Sequence, residues 1–251
     1  MTDPRARPHW YDLVIVALLC VLGAVAVQRD ISDNVPFADE VEYVLMAHNF
    51  FHHGVLSLDR EPSSAATPTA YREPGYPVFL AGIMGLDQRL SAISIDCLTR
   101  RDTSCASGYV WAKQVNVVLL LLTGLIVWFV AWRLAGRVWI AHVALLLCLA
   151  NLELHEYATY LVSDFLALLL IAAGSLALYF AGIQTDMRWG FAAGAVLGLL
   201  VLTKAAFMFL APVVLLVFIV CTIGADREQR RRFIQLAVVL PSVMRSWWAV
   251  E

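Results

Sequence analysis

The chain has 251 residues, of which 61% are hydrophobic and 15% charged, with a formal net charge of −2. Soluble domains carry about 45–50% apolar and about 25% charged residues, so lipid must solvate much of this chain. The slightly acidic balance argues against nucleic acid as a partner, because binding a phosphate backbone needs a basic face.

Residues 1–12 are short and polar, with Arg5 and Arg7. Residues 13–27 form an apolar run behind Trp10 and Tyr11. A cleavable signal peptide has the same shape, with Ala24-Val25-Ala26 as its cleavage site. The further apolar runs downstream favour an uncleaved first span, anchored at the interface by the aromatic pair.

Residues 28–108 read as one large extracytoplasmic loop with interfacial helices. Within it, residues 39–53 place Val41, Val44, Leu45 and Phe51 near helical spacing, and Gly54 is a natural stop. This predicts an amphipathic helix lying on the membrane surface. Residues 61–71 hold Pro62, Ser63, Ser64, Thr67 and Pro68 and read as a flexible loop. Residues 76–86 are apolar but far short of the roughly 20 residues a span needs, so they read as a re-entrant or interfacial helix. Residues 87–108 read as a second polar loop.

Residues 109–251 hold the remaining spans. The runs 109–132, 138–152 and 164–183 are each apolar, with a short polar connection at 153–163. The run 190–223 is broken by Thr203-Lys204 and fits two shorter tilted helices turning there. A further span begins at 233–248, interrupted by Pro241 and Arg245. The expected fold is thus all-α and polytopic, a single membrane domain over 1–251 with about six or seven transmembrane helices. Arg133, Arg137, Arg188 and the cluster at 227–232 share one side with Arg5 and Arg7 if 76–86 does not cross. The positive-inside rule makes that side cytoplasmic and places Asp39, Glu156 and Lys204 outside.

Several polar residues have both a chemical and a bland reading. Asp39 and Glu42 fit a D-x-x-E helix start, with the Asp as cap; an ionised carboxylate there also suits a general base. Lys204 either faces a cavity in a functional role or snorkels at a helix turn. Asp164 either caps the next helix or joins Glu153, His155 and Glu156 in a site. His48 and His52, at i and i+4 beside His53, permit shared metal ligation, but no matched third ligand is evident. A divalent metal is therefore not indicated, and no cofactor is expected. Cys20, Cys148 and Cys221 lie in apolar runs, whereas Cys97 and Cys105 lie in a polar loop where they could pair.

Asp39-Glu40 followed by Tyr43, Ala47 and Gly54, then Arg72-Glu73-Pro74-Gly75-Tyr76-Pro77 leading into Phe79-Leu80-Ala81, resembles the first outer loop of bacterial integral-membrane glycosyltransferases of the GT-C superfold. The likeness is to the family 39 type, akin to protein O-mannosyltransferases and aminoarabinose transferases. Gly194-x-x-x-Gly198-Leu199-x-x-Leu202-Thr203-Lys204 resembles a later segment of the same enzymes, and Pro241 to Arg245 the passage that follows. The resemblance implies transfer of a sugar from a polyprenyl-phosphate donor to a glycan, lipid or protein acceptor outside the cytoplasm, in the cytoplasmic (inner) membrane of a cell. It implies Asp39 as the base, supported by Glu40. Arg72 and Lys204 would hold the lipid phosphate, and Tyr76, Asp164 and Glu156 would complete the substrate site. Members of the family often carry Glu where this chain has Asp164, and they are longer, so a truncated form is expected. Two other classes fit the composition: a non-catalytic membrane subunit of the same architecture, and a small-solute transporter. The transporter ranks last, because polar residues cluster in outer loops and no matching halves are visible.

Overall fold

The computed structural model describes residues 8–31, 35–60, 67–100, 106–184 and 187–210, together with 212, 213, 216, 217 and 220. Among the described residues all regular structure is helical. Three helices are long and apolar enough to cross a membrane, four if one bent pair counts as a single span. The protein is thus an α-helical membrane protein. Of the six or seven expected spans, three or four fall in the described residues; the run at 233–248, with Pro241 and Arg245, lies outside them, as do Arg5, Arg7 and the cluster at 227–232.

The chain forms two compact units, Met1–Leu166 and Ala167–Glu251. In the first, α1 (Trp10–Asp30) packs against α6 (Ala106–Ala135), α7 (Val138–Leu149) and α8 (Leu152–Ala158). Helices in lipid approach closely where small residues let them. Gly23 of α1 and Gly124 of α6 do this against α7: a Cβ on Gly124 would stand 2.9 Å from Leu145 Cδ1, and one on Gly23 would stand 3.1 Å from Leu149 Cβ. Gly136, at φ 67°, makes the tight turn from α6 to α7. An Asp–His pair marks each end of α1: Asp12 lies 3.9 Å from His142 of α7, and Asp30 lies 3.3 Å from His155 of α8. Eighteen residues of helix separate the two acids, about 27 Å. That approaches the roughly 30 Å hydrocarbon thickness, so both polar pairs sit where the apolar slab ends.

At the Asp30 end lies a second layer. The predicted surface helix is α2 (Asp39–His53), and Gly54 ends it at φ 71°. α3 (Gly75–Leu86) is the short apolar helix; at 12 residues it reaches about 18 Å and does not span. The two pack on each other. Tyr43, Val44, Leu45 and Ala47 of α2 meet Tyr76, Leu80, Ala81 and Met84 of α3 in one core. The apolar face of α2 is therefore turned onto α3 rather than spread on lipid.

Two sequence expectations change here. Residues 87–108 are not simply a polar loop. They hold α4 (Gln88–Ser91) and α5 (Ile95–Arg100), and Leu90, Ile93, Ile95 and Cys97 complete the same core. Asp87 caps α4 by accepting from Arg89 N at 2.8 Å. The polar connection at 153–163 likewise contains α8, bent 49° from α7 and capped by Asn151 Oδ1, which accepts from the amides of Glu153 and Leu154. Cys97 is disulfide-bonded; Cys105, its expected partner, lies outside the described residues.

In the second unit, α9 (Asp164–Gln184, beginning in the first unit) and α10 (Met187–Thr203) pack through Ala167, Leu197, Leu200 and Val201. The expected break is present: α10 stops at Thr203, Lys204 is extended, and a 3₁₀ turn runs over Ala205–Phe209.

Candidate active site

The described stretches between α2 and α3, residues 55–60 and 67–74, lie back along α2, and hydrogen bonds hold them there. Asn49, fully buried, donates through Nδ2 to the carbonyls of Ser57 and Asp59 at 2.9 and 3.0 Å. Asp59 Oδ2 accepts from Thr67 N at 2.6 Å, and Thr69 N donates to Leu56 O at 2.9 Å. The Thr67 amide and the Ser57 hydroxyl hold the Asp59 carboxyl below its usual range. This return path delivers Arg72 to the first turn of α2.

There Arg72 bridges two acids. Its Nη2 donates to Asp39 Oδ1 at 2.6 Å and its Nε to Glu42 Oε2 at 2.6 Å. The guanidinium also lies 5.5 Å from the Tyr43 ring centroid and 5.3 Å from that of Tyr71. Partial burial opposes its charge, but the hydrogen bond and charge of Glu42 and the charge of Asp39 outweigh it and raise the Arg72 pKa. Asp39 and Glu42 stand three residues apart, hence on one helix face, which is why one arginine reaches both. Nη2 also lies 2.6 Å from Glu42 Oε2, so Nε and Nη2 serve the two acids and the Nη1 N–H groups are the ones left for a ligand.

This arrangement corrects the capping reading. The residue before α2 is Ala38, and neither Asp39 nor Glu42 closes a capping box on it. Glu40 does the terminal work instead. Only 5% exposed, it accepts from Phe37 N through Oε2 at 2.9 Å and from Leu161 N through Oε1 at 2.6 Å. It ties the start of α2 to the segment that leads into α9. Ala38 itself has φ 50° and ψ −121°, a region L residues rarely enter. Strained backbone stands directly beside Asp39.

Tyr76 is 1% exposed and meets Tyr43 edge-on, with ring centroids 5.1 Å apart. Burial, then the charges of Glu40, Tyr43 and Asp164, raise its pKa well above the ordinary value. It supports Tyr43 from below. Asp164 is the first residue of α9, so Ser163 precedes the helix; Ser163 Oγ lies 3.5 Å from the Tyr43 hydroxyl. Asp39, Glu40, Arg72, Tyr76 and Asp164 thus gather from three separate stretches of chain. Glu156 stays exposed on α8. Lys204, half-buried, belongs to the second unit.

One residue escaped the sequence reading. Lys113 of α6 is 1% exposed and lines a cavity of about 390 Å³ with Glu40, Phe37 and Tyr160. One turn along, Asn116 Nδ2 donates to the carbonyls of Ala158 and Tyr160 at 3.2 and 2.8 Å, holding the cavity wall. Its signal was its rarity, as one of two lysines in a chain with a long apolar run following it. Among the described residues no group of three His, Cys, Asp or Glu side chains is placed to hold a metal ion. Comparison of the chain with protein-family models, with curated proteins and with solved structures finds no match in any of the three.

Proposed function

We propose that this protein is an integral-membrane glycosyltransferase of the GT-C type that moves a sugar from a polyprenyl-phosphate donor to a hydroxyl acceptor. The observation that carries the reading is the exposed Asp39 carboxylate, 61% accessible, held in register by Arg72 on a helix docked at one end of a membrane bundle. A general base must be reachable and oriented, and the exposed, Arg72-held Asp39 side chain is both. The site's place at the end of α1 suits a donor whose lipid stays in the bilayer while its head reaches water.

In the proposed reaction Asp39 takes the proton of the acceptor hydroxyl. The acceptor oxygen forms a bond to the anomeric carbon as the bond from that carbon to the phosphate oxygen breaks. The electron pair leaves on the polyprenyl phosphate, and inversion at carbon follows from attack opposite the leaving group. The unused N–H groups of Arg72 face that departing charge, with Lys204 as the second proposed cation. Fixed cations aimed where charge develops lower the barrier most. Asp164 and Glu156 are proposed to bind the sugar side. Glu40 and Tyr76 hold the first turn of α2 and Tyr43 in place. The chain is proposed to make six or seven crossings of the cytoplasmic membrane, with the Asp39 face outside.

The test is sugar transfer by membranes containing the chain, supplied with radiolabelled polyprenyl-phosphate sugars. Removing a general base costs about 10²–10⁴-fold in rate. Asp39→Asn should therefore abolish measurable transfer while the protein stays inserted and folded, since an exposed ion pair contributes only about 0–1 kcal/mol. Transfer near the wild-type rate would overturn the assignment. A second reading, a non-catalytic subunit, is favoured by one fact: Arg72 already satisfies both acids, as a purely structural clamp would. It predicts no transfer by the wild-type chain with any donor, and an Asp39→Asn phenotype confined to loop order.

A further inference from the structure

The opposite end of α2 carries a second pocket, separate from the Asp39 site. It encloses about 650 Å³, within the roughly 300–1,000 Å³ usual for small-molecule sites. His48, His52, His53, Arg60, Ser94 and Asp96 line it. Nine to fourteen helical positions separate these histidines from Asp39, or about 14–21 Å at 1.5 Å per residue. One small ligand cannot touch both ends.

The lining is built to hold negative charge. The His48 and His52 rings lie 4.3 Å apart and those of His52 and His53 lie 6.3 Å apart. Arg60, exposed, makes no ion pair among the described residues. Asp96, the acid on the lining, already has an interaction of its own. His48 Nδ1 is buried without a hydrogen-bond partner. Ser94 Oγ accepts from Cys97 N at 3.2 Å, which leaves its O–H to donate. His52 Nε2 meets the Ser91 carbonyl at 3.0 Å, so that nitrogen carries a proton and the ring is held against α4. Hydrogen-bond donors and the Arg60 cation thus share one pocket lining. Burial first, and then the charges of His52 and His53, push His48 down to about 4.

We propose that this pocket binds a phosphate-class anion, a phosphomonoester or phosphodiester head, with Arg60 as its two-pronged anchor. A planar guanidinium matches two phosphate oxygens, and imidazole N–H groups and the Ser94 hydroxyl can take the others. The site stands whether or not the chain transfers sugars.

Two arms test it on the full chain. In nanodiscs of neutral phosphatidylcholine, inorganic phosphate is titrated calorimetrically at pH 6. In mixed micelles, native mass spectrometry reads whether phosphatidic acid is retained over phosphatidylcholine. At least one probe should bind saturably at pH 6. Losing one charged hydrogen-bonding group costs about tenfold or more in affinity, so Arg60→Gln should show that loss and the exposed His53→Gln a smaller one. Both side chains lie on the surface, so each variant should unfold at the wild-type temperature. Phosphate binding alone identifies a soluble ligand; retention of phosphatidic acid alone identifies a lipid head. The proposal is overturned if neither probe binds saturably at pH 6, or if Arg60→Gln binds as well as the wild type.

Discussion

Glu40 offers the sharpest test of how the candidate site is held. It is buried, and each of its carboxylate oxygens accepts a backbone amide: Leu161 N at 2.6 Å in a buried setting, Phe37 N at 2.9 Å in a half-buried one. A hydrogen bond to a charged group is worth about 1.5–3 kcal/mol, and a buried donor left unmatched costs about 1–3 kcal/mol. Glu40→Ala removes both bonds and orphans the Leu161 amide, while the Phe37 amide can turn to water. We expect a loss of about 3–4 kcal/mol, a large share of the roughly 5–15 kcal/mol that holds a typical domain. Glu40→Gln keeps one acceptor for Leu161 but turns an NH₂ toward Phe37 N, so about 1–2 kcal/mol should go. Thermal unfolding in detergent, with amide exchange at Leu161 as the local probe, reads both. Wild-type unfolding of Glu40→Ala with Leu161 still protected would refute the staple. Retained sugar transfer in Glu40→Gln, in a chain shown to be active, would separate positioning from a second acidic role.

Three more predictions rest on other features. Ala38→Gly relieves a backbone strain of about 1–3 kcal/mol and returns about 0.5–1 kcal/mol of it as glycine entropy, so the unfolding temperature should rise; a fall would mean that the φ of 50° carries no strain. Because His48 is pushed from 6.5 to about 4, the unfolded chain binds more protons across that window, and stability should decline as pH drops through it. His48→Gln should flatten that slope, and an NMR titration of the His48 ring with a midpoint near neutrality would contradict the burial seen here. Finally, single cysteines at Thr67 and Arg137, both exposed, should label from opposite sides of the membrane, Thr67 from outside; labelling of both from one side would sink the topology.

The helices were legible because apolar run length and breakers are local signals. Residues 13–27 widened to Trp10–Asp30, 109–132 to Ala106–Ala135, and the break at Lys204 fell where Thr203-Lys204 interrupts the run. Gly54 ended α2 as expected, because αL geometry favours glycine. The stretch 87–108 misled because its charges masked four core residues, Leu90, Ile93, Ile95 and Cys97, spaced irregularly over two short helices and the link between them. Periodicity needs a longer window than four or six residues to show. The Asp–His pairs at the ends of α1 were invisible for another reason: their partners lie more than a hundred residues away.

At the site, sequence named the residues better than their roles. A D-x-x-E start reads as a capping box because the local competition between side chain and backbone is all that sequence displays. The structure resolves that competition through a contact 33 residues away, with Arg72 drawing Asp39 and Glu42 outward. Its consequence is chemical. A capping Asp39 would have spent its oxygens on helix amides; the Asp39 present here keeps one oxygen on Arg72 and the side chain largely in solvent. Helix termination passes to Glu40, one residue on and facing the other way, which is why the chain places adjacent acids there. One carboxylate is buried and fixes the geometry, and its neighbour stays accessible. Exchanging the two, with Asn at 39 tolerated by the fold and Ala at 40 not, is the pattern that division of labour requires.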